Sequence, residues 1–380
     1  MSKIFEIFGY PTDDTSVEAT EHRKAARCPF MGRDCDGGGN RYLSSIAVKG
    51  NPSLEVFFGN REKVCAGVCS LQLGDNTPPW IVCPRRLLVL GREAVGTRIY
   101  QKKTEEQTLK LLGYASGTRL GVWPEVKIKY EEDVDGVRKT FDYTFDYILM
   151  PLAPLHQTEI EQITGKSWGK LQALFKKGGY AISIQGDEVS VADCPSGIPS
   201  IIEIMTSSTS GGNKDKGTTI SAAFRDAIEG RPYNGPGINY RQVWARMVSQ
   251  LIVKSEVALA WKGKAIWVVQ DTLVDYISKS TALNIRKLST EQTSEVNMLS
   301  FSYGDAFRNP QSVIELSNGQ LFAGLITSDK PESQIAPDDS EEPATTQSFH
   351  DIIRVPLRPS LSRLIETLAQ RKPGNEVIAP

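Results

Sequence analysis

Val122–Tyr130 reads VWPEVKIKY and Thr140–Met150 reads TFDYTFDYILM, with EEDVDG (Glu131–Gly136) between them. Apolar and polar residues alternate through both stretches, which is the period of a strand with one face buried. Asp135-Gly136 accepts the positive φ angles of a tight hairpin turn, so the two stretches are expected to pair antiparallel. Downstream, Ile201–Thr206 reads IIEIMT and is expected as a short buried strand. Helical spacing is expected around Lys102 to Leu112, from Thr158 to Lys177, and through Tyr240, Val243, Trp244, Met247, Leu251 and Ile252. A short hairpin is expected around Gly186. A last strand pair, VALAW and AIWVVQ, is expected to fold across Lys262-Gly263-Lys264. Strands and helices mixed along the chain in this way, with no internal repeat, point to the α/β class.

The chain has 380 residues, long for one domain and enough to bury a large core without staples. Lys and Arg number 44 against 45 Asp and Glu, a net charge of −1 that excludes a histone-like polycation but not a local basic groove. Charge is uneven. Asp329, Glu332, Asp338, Asp339, Glu341 and Glu342 stand against Lys330, a net of −5 that leaves the rest of the chain at +4. That segment is rich in Pro and Ser and reads as a flexible linker or long loop. No apolar run approaches the roughly 20 residues needed to span a bilayer, since Val257 to Val269 is broken by Lys262 and Lys264. The opening MSKIFEIFGYP lacks the long apolar core of a secretory signal, so a cytoplasmic protein is expected.

In a reducing compartment the six cysteines are thiols or metal ligands rather than disulfides. Five of them lie in residues 28–83, beside the turn Gly37-Gly38-Gly39-Asn40, as Cys28-x6-Cys35 and then Cys65-x3-Cys69-x13-Cys83. Four thiolates suit a tetrahedral zinc or iron site, because soft sulfur donors favour such ions. Proline after Cys28 and after Cys83 restrains the loops that would carry ligands. Five cysteines compete for four positions, and the alternative is that they are small buried apolar residues. Cys194 stands alone and is expected as a packed thiol. The expected role is structural: no HExxH is present, and His22, His156 and His350 are far apart.

Three acids fall on the expected strands, Glu125, Asp146 and Glu203. Glu203 is flanked by Ile201, Ile202 and Ile204, and an acid in so apolar a strand is costly to bury without a cation or hydrogen-bond donors. Carboxylates from neighbouring strands form a hard oxygen site suited to magnesium, which can activate water at a phosphodiester. Asp142 and Glu131 are expected to face solvent. Gly165-Lys166-Ser167 lacks the upstream glycine of a phosphate-binding loop, Ile160 standing in its place. No GxGxxG follows a strand and no GxSxG is present, so nucleotide-dependent and serine-hydrolase readings lose ground.

CPF at Cys28, GVCSL at Cys69, WIVCP at Cys83, the charged hairpin with FDY, and then IIEIMT together resemble NotI-type restriction endonucleases over about residues 20–275. The resemblance implies a PD-(D/E)xK core, a mixed sheet flanked by helices, with a small four-cysteine subdomain that holds iron in the type member. It implies magnesium-dependent homodimers that cut double-stranded DNA at short palindromic sites. It puts the metal-binding cysteines at Cys28, Cys69 and Cys83, with Cys35 as the fourth and Cys65 as its alternative. It puts Glu125, Asp146 and Glu203 in the active site, with Asp146 and Glu203 holding magnesium. The family has E-x-Q where most PD-(D/E)xK enzymes have lysine two residues after the acid, whereas Met205 stands there in this chain. Methionine cannot donate a hydrogen bond, so a donor such as Lys127 or Lys214 is expected to substitute. The alternative is a catalytically silent or attenuated DNA-binding protein with the same fold.

The implied organisation is an N-terminal segment at 1–27, a four-cysteine subdomain at 28–90, a nuclease core with insertions at 91–328, an acidic linker at 329–348 and a helical end at 349–380. Basic residues in 85–103 (Arg85, Arg86, Arg92, Arg98, Lys102, Lys103) and in 211–246 (Lys214, Lys216, Arg225, Arg231, Arg241, Arg246) could neutralise phosphates, and arginines could read guanine edges. Gly211 and Gly212 would let a loop approach the DNA backbone.

Overall fold

The alternating stretches form one long hairpin, with a first arm Arg119–Val134 and a second arm Val137–His156. They pair from Val137↔Val134 at the turn to Pro151↔Leu120 at the base. Asp135 and Gly136 take φ of +52° and +74°, the conformation for which the Asp-Gly pair is suited. The structure, a computed structural model, describes residues 2–38, 44–90, 98–209, 219–280, 284–325 and 357–380. Gly39, Asn40, Arg92, Gly211, Gly212, Lys214, Lys216, His350 and the acidic stretch 329–348 lie outside the described residues, as do the side chains of Arg98 and Arg241.

The hairpin is one side of a nine-stranded mixed sheet. On its free edge the second arm pairs with Glu188–Pro195 near its end and with Ser200–Met205 near its middle, both antiparallel. The expected small hairpin around Gly186 forms, as Ile182–Gln185 against Glu188–Pro195. Ser200–Met205 is a junction strand: on its other side it runs parallel to Lys264–Gln270, which runs parallel to Val296–Phe301. Gln320–Gly324 ends that side antiparallel, and Asn375–Ile378 borders the first arm. A parallel strand needs a crossover, and the chain supplies helices for it.

The alternation of IIEIM sorts its side chains between two layers. Ile202 and Ile204 join Ile266, Val268, Leu299 and Phe301 under Leu109 and Leu112 of the Lys102–Leu112 helix. Ile201 faces the other layer, with Val253 and Val257 of the long helix Tyr240–Ala260 and Trp261 just after it. Glu203 shares the face of Ile201 and so points toward that long helix.

Two expected elements differ. VALAW is no strand: Val257 to Ala260 finish the long helix, and Lys262 at φ +59° turns the chain into Lys264–Gln270. A short apolar run cannot distinguish a buried strand from a buried helical turn, and here Val253, Val257 and Trp261 continue one helical stripe. The expected single helix from Thr158 to Lys177 is two, Gln157–Thr164 and Trp168–Lys177. Gly165 at φ +63° caps the first, a left-handed position that glycine occupies without steric cost.

A smaller antiparallel sheet has the order Tyr10–Pro11, Lys3–Ile7, Val68–Gln72, Trp80–Ile81, so the first residues share a sheet with the cysteine-bearing stretch. Glu6 and Arg86, both fully buried, tie it to the segment that follows the strand Val296–Phe301 of the larger sheet. Arg86 Nε donates to both Glu6 carboxylate oxygens at 3.1 and 3.0 Å, and Tyr303 OH and Ser70 Oγ donate to the same carboxylate. Arg86 Nη2 donates to the carbonyl of Ile314. This corrects the expectation that Arg86 faces phosphates: its charge is enclosed in the core.

Candidate active site

Where the hairpin meets the junction strand, the backbone ladder ends at Tyr147↔Ile202. Side chains take over the next rungs. Asp146 Oδ2 accepts the N–H of Ile204 at 2.9 Å, and Glu203 Oε1 accepts the N–H of Asp146 at 3.2 Å. Each carboxylate therefore satisfies an amide of the other's strand. On the hairpin side, the pair Asp146 and Glu125 is skipped in the ladder, and Glu125 takes φ +50°, a conformation that costs a non-glycine residue on the order of 1 kcal/mol. Glu125, Asp146 and Glu203 thus stand in one row across three adjacent strands.

A cavity of about 350 Å³ opens beside this row, with Arg85, Glu125, Lys127, Asp146, Met205 and Arg246 on its wall. Glu203 is 1% exposed and sits behind the wall. Its second oxygen, Oε2, receives the Nζ of Lys254, which is equally buried and lies 5.6 Å from the centre of the Phe145 ring. Burial pushes the Glu203 carboxyl up to about 8; the neighbouring Asp146 charge adds to the rise and Lys254 opposes it. Glu125 is turned outward and held by Arg85 Nη2 at 3.3 Å, so the row is one tight pair of acids plus a third engaged elsewhere.

Lys254 was not singled out by sequence reasoning. Its signal is a lone cation in the apolar run LIVKSEVALA, eleven, seven and four residues after Val243, Met247 and Gln250 and so on their helical stripe. Of the expected substitutes for the missing donor, Lys127 lines the cavity but pairs with Asp142 Oδ1 at 3.2 Å, and Lys214 lies outside the described residues. Asp142 and Glu131 are outward-facing and carry ion pairs, Glu131 with Arg138. Arg225 and Arg231 are tied to Asp226, Lys103 to Glu315 and Lys102 to Glu106; among the described residues, Arg85, Lys127 and Arg246 are the cations on the cavity wall.

Four cysteines, Cys28, Cys35, Cys69 and Cys83, line a second, small cavity together with Asp36 and Arg85. The thiol of Cys69 hydrogen-bonds Cys83, and that contact together with burial raises it well above the usual thiol range. Cys83 moves the opposite way, lowered by the same bond and by the backbone amides of Arg86 and Arg85 at the start of the Pro84–Leu87 helical turn. Burial pushes the Cys28 thiol up to about 12. Cys65 lies outside this lining, in the Lys63–Cys65 strand, and Cys194 is buried against Tyr180 and Val191. Thiols of this kind suit a soft ion by donor chemistry. Among the described residues, however, no group of three or more His, Cys, Asp or Glu side chains is arranged so that it could hold a metal ion. Arg85 joins the two cavities, with Nε on Asp36 Oδ2 at 3.1 Å and Nη2 on Glu125.

No family model, no curated protein and no solved structure matches this chain. Among the described residues, no helix is long and apolar enough to cross a membrane.

Proposed function

We propose that the chain is a type II site-specific deoxyribonuclease of the PD-(D/E)xK kind, cutting double-stranded DNA with magnesium and acting as a cytoplasmic homodimer on a palindromic site. The observation that carries this reading is the Asp146–Glu203 pair, two carboxylates interlocked at the point where antiparallel pairing gives way to parallel pairing, with Asp146 open to a cation-lined cavity. Asp146 would hold the ion from the cavity wall, with Glu203 bracing it from behind through the Asp146 amide and Lys254, and Glu125 beside it in contact with Arg85. Bound magnesium lowers the pKa of its water and neutralises charge on the scissile phosphate. The chain's own part is positional. Asp146 is fixed by the Ile204 amide, Glu203 by the Asp146 amide and Lys254, and Arg85, Lys127 and Arg246 offer positive charge to phosphates entering the cavity. Cys28, Cys35, Cys69 and Cys83, which share the small cavity, are the residues whose donor chemistry would suit iron or zinc there, as a structural support for the loop bearing Arg85.

Phage or plasmid DNA incubated with the protein and magnesium should yield discrete fragments whose sequenced ends share one site. Asp146→Ala should abolish cutting and keep DNA binding in a gel shift. Cutting by Asp146→Ala at the wild-type rate would refute the assignment. Met205 on the cavity wall, where the enzymes the sequence resembles carry a donor, favours a second reading, a DNA-binding protein without nuclease activity. Specific gel shifts with no cleavage under any divalent ion would select it.

A further inference from the structure

We infer that Lys254, delivered from the long helix rather than from the junction strand, is the positioning residue that replaces the donor missing at Met205. The inference rests on the nuclease reading and deepens it. An ammonium group is rarely placed where it is 1% exposed, because leaving water costs several kcal/mol unless a partner compensates. Lys254 has such a partner in Glu203, itself 1% exposed, and Glu203 is braced in turn by the amide of Asp146. The Lys254 charge therefore sits one carboxylate away from the residue that opens into the cavity.

The helix geometry explains why this residue reaches the site. Val243, Arg246 and Gln250 of the same helix line the cavity, and Lys254 lies one turn beyond Gln250 on that stripe, where the helix passes over the junction strand. Met205, two residues after Glu203, also lines the cavity, so the strand position for a donor exists and is filled by a side chain that cannot donate. A cation from the helix and one from the strand would approach the same pair of acids from neighbouring directions. Lys254 acts through Glu203: it fixes which oxygen of the carboxylate is turned toward Asp146.

The test uses the full chain and supercoiled plasmid with magnesium. Single-turnover cleavage and equilibrium DNA binding are measured for wild type, Lys254→Met, Lys254→Arg and the double variant Lys254→Met/Met205→Lys, each checked for a cooperative melt. Lys254→Met should slow cleavage by about 100-fold while DNA binding changes by less than about 3-fold. Lys254→Arg should retain part of the rate. The double variant, which returns a lysine from the strand side, should recover at least 10-fold over Lys254→Met. A merely structural role would lower folding yield and melting temperature but would not give rescue from position 205. Wild-type cleavage by folded Lys254→Met overturns the inference and leaves the nuclease reading intact. Recovery absent from a folded double variant also overturns it. No cleavage by the wild-type protein removes the nuclease reading, and this inference with it.

Discussion

Of the three acids in the row, Glu203 is the one that burial removes from water. Its carboxyl ordinarily titrates near 4.5 and is raised to about 8 in the folded chain, so the folded state binds its proton more tightly than the unfolded state does. Stability from this group is therefore full below about 4.5 and is lost as pH rises through about 8. In metal-free buffer the melting temperature of the wild type should fall between those values, and Glu203→Gln should flatten the fall. An equal slope in both proteins would place the pH dependence elsewhere. At this scale the sequence was informative about Glu203 itself, since an acid among three isoleucines announces a compensated burial. It was silent about the compensator: Lys254 lies 51 positions away and meets Glu203 only when a helix crosses a strand.

The elements were legible in proportion to their periodicity. The hairpin arms alternate over many residues and end in Asp-Gly, so their pairing and turn could be read directly, and the Lys102–Leu112 helix likewise. VALAW misled because five apolar residues satisfy either period. What decides for helix is packing of Val257 and Trp261 beside Ile201 and Ala265, a contact absent from any local window. The exit from that helix depends on Gly263, where a β-carbon would lie 2.0 Å from the carbonyl oxygen of Pro199. Gly263→Ala should cost about 1–3 kcal/mol, since backbone on the neighbouring segment must move. Urea unfolding checks this, and a midpoint unchanged from wild type would show that the segment before the junction strand yields freely.

Across the whole molecule, one buried network joins the cysteine-bearing sheet to the segment that follows the strand Val296–Phe301 of the nine-stranded sheet. Arg86 brings Glu6, Tyr303 and the Ile314 carbonyl together from segments more than 200 residues apart. Arg86→Met leaves Glu6 without its cation and should destabilise the chain by about 3–5 kcal/mol; Glu6→Gln/Arg86→Met should recover part of that loss. Calorimetry would show it, and a single variant as stable as wild type would mean the two sheets do not depend on this junction. By its pattern of alternation and its turn residues, the sequence alone determined the α/β class, the hairpin, the buried junction strand and the candidate acids Glu125, Asp146 and Glu203. Only the tertiary structure decided that Asp146 and Glu203 interlock while Glu125 turns to Arg85, that four of the five clustered cysteines share a cavity, and that Arg86 is core and Lys254 reaches the acids. The reason is physical: period and propensity act over a few neighbouring residues, whereas the partner of a buried charge is set by which elements pack together.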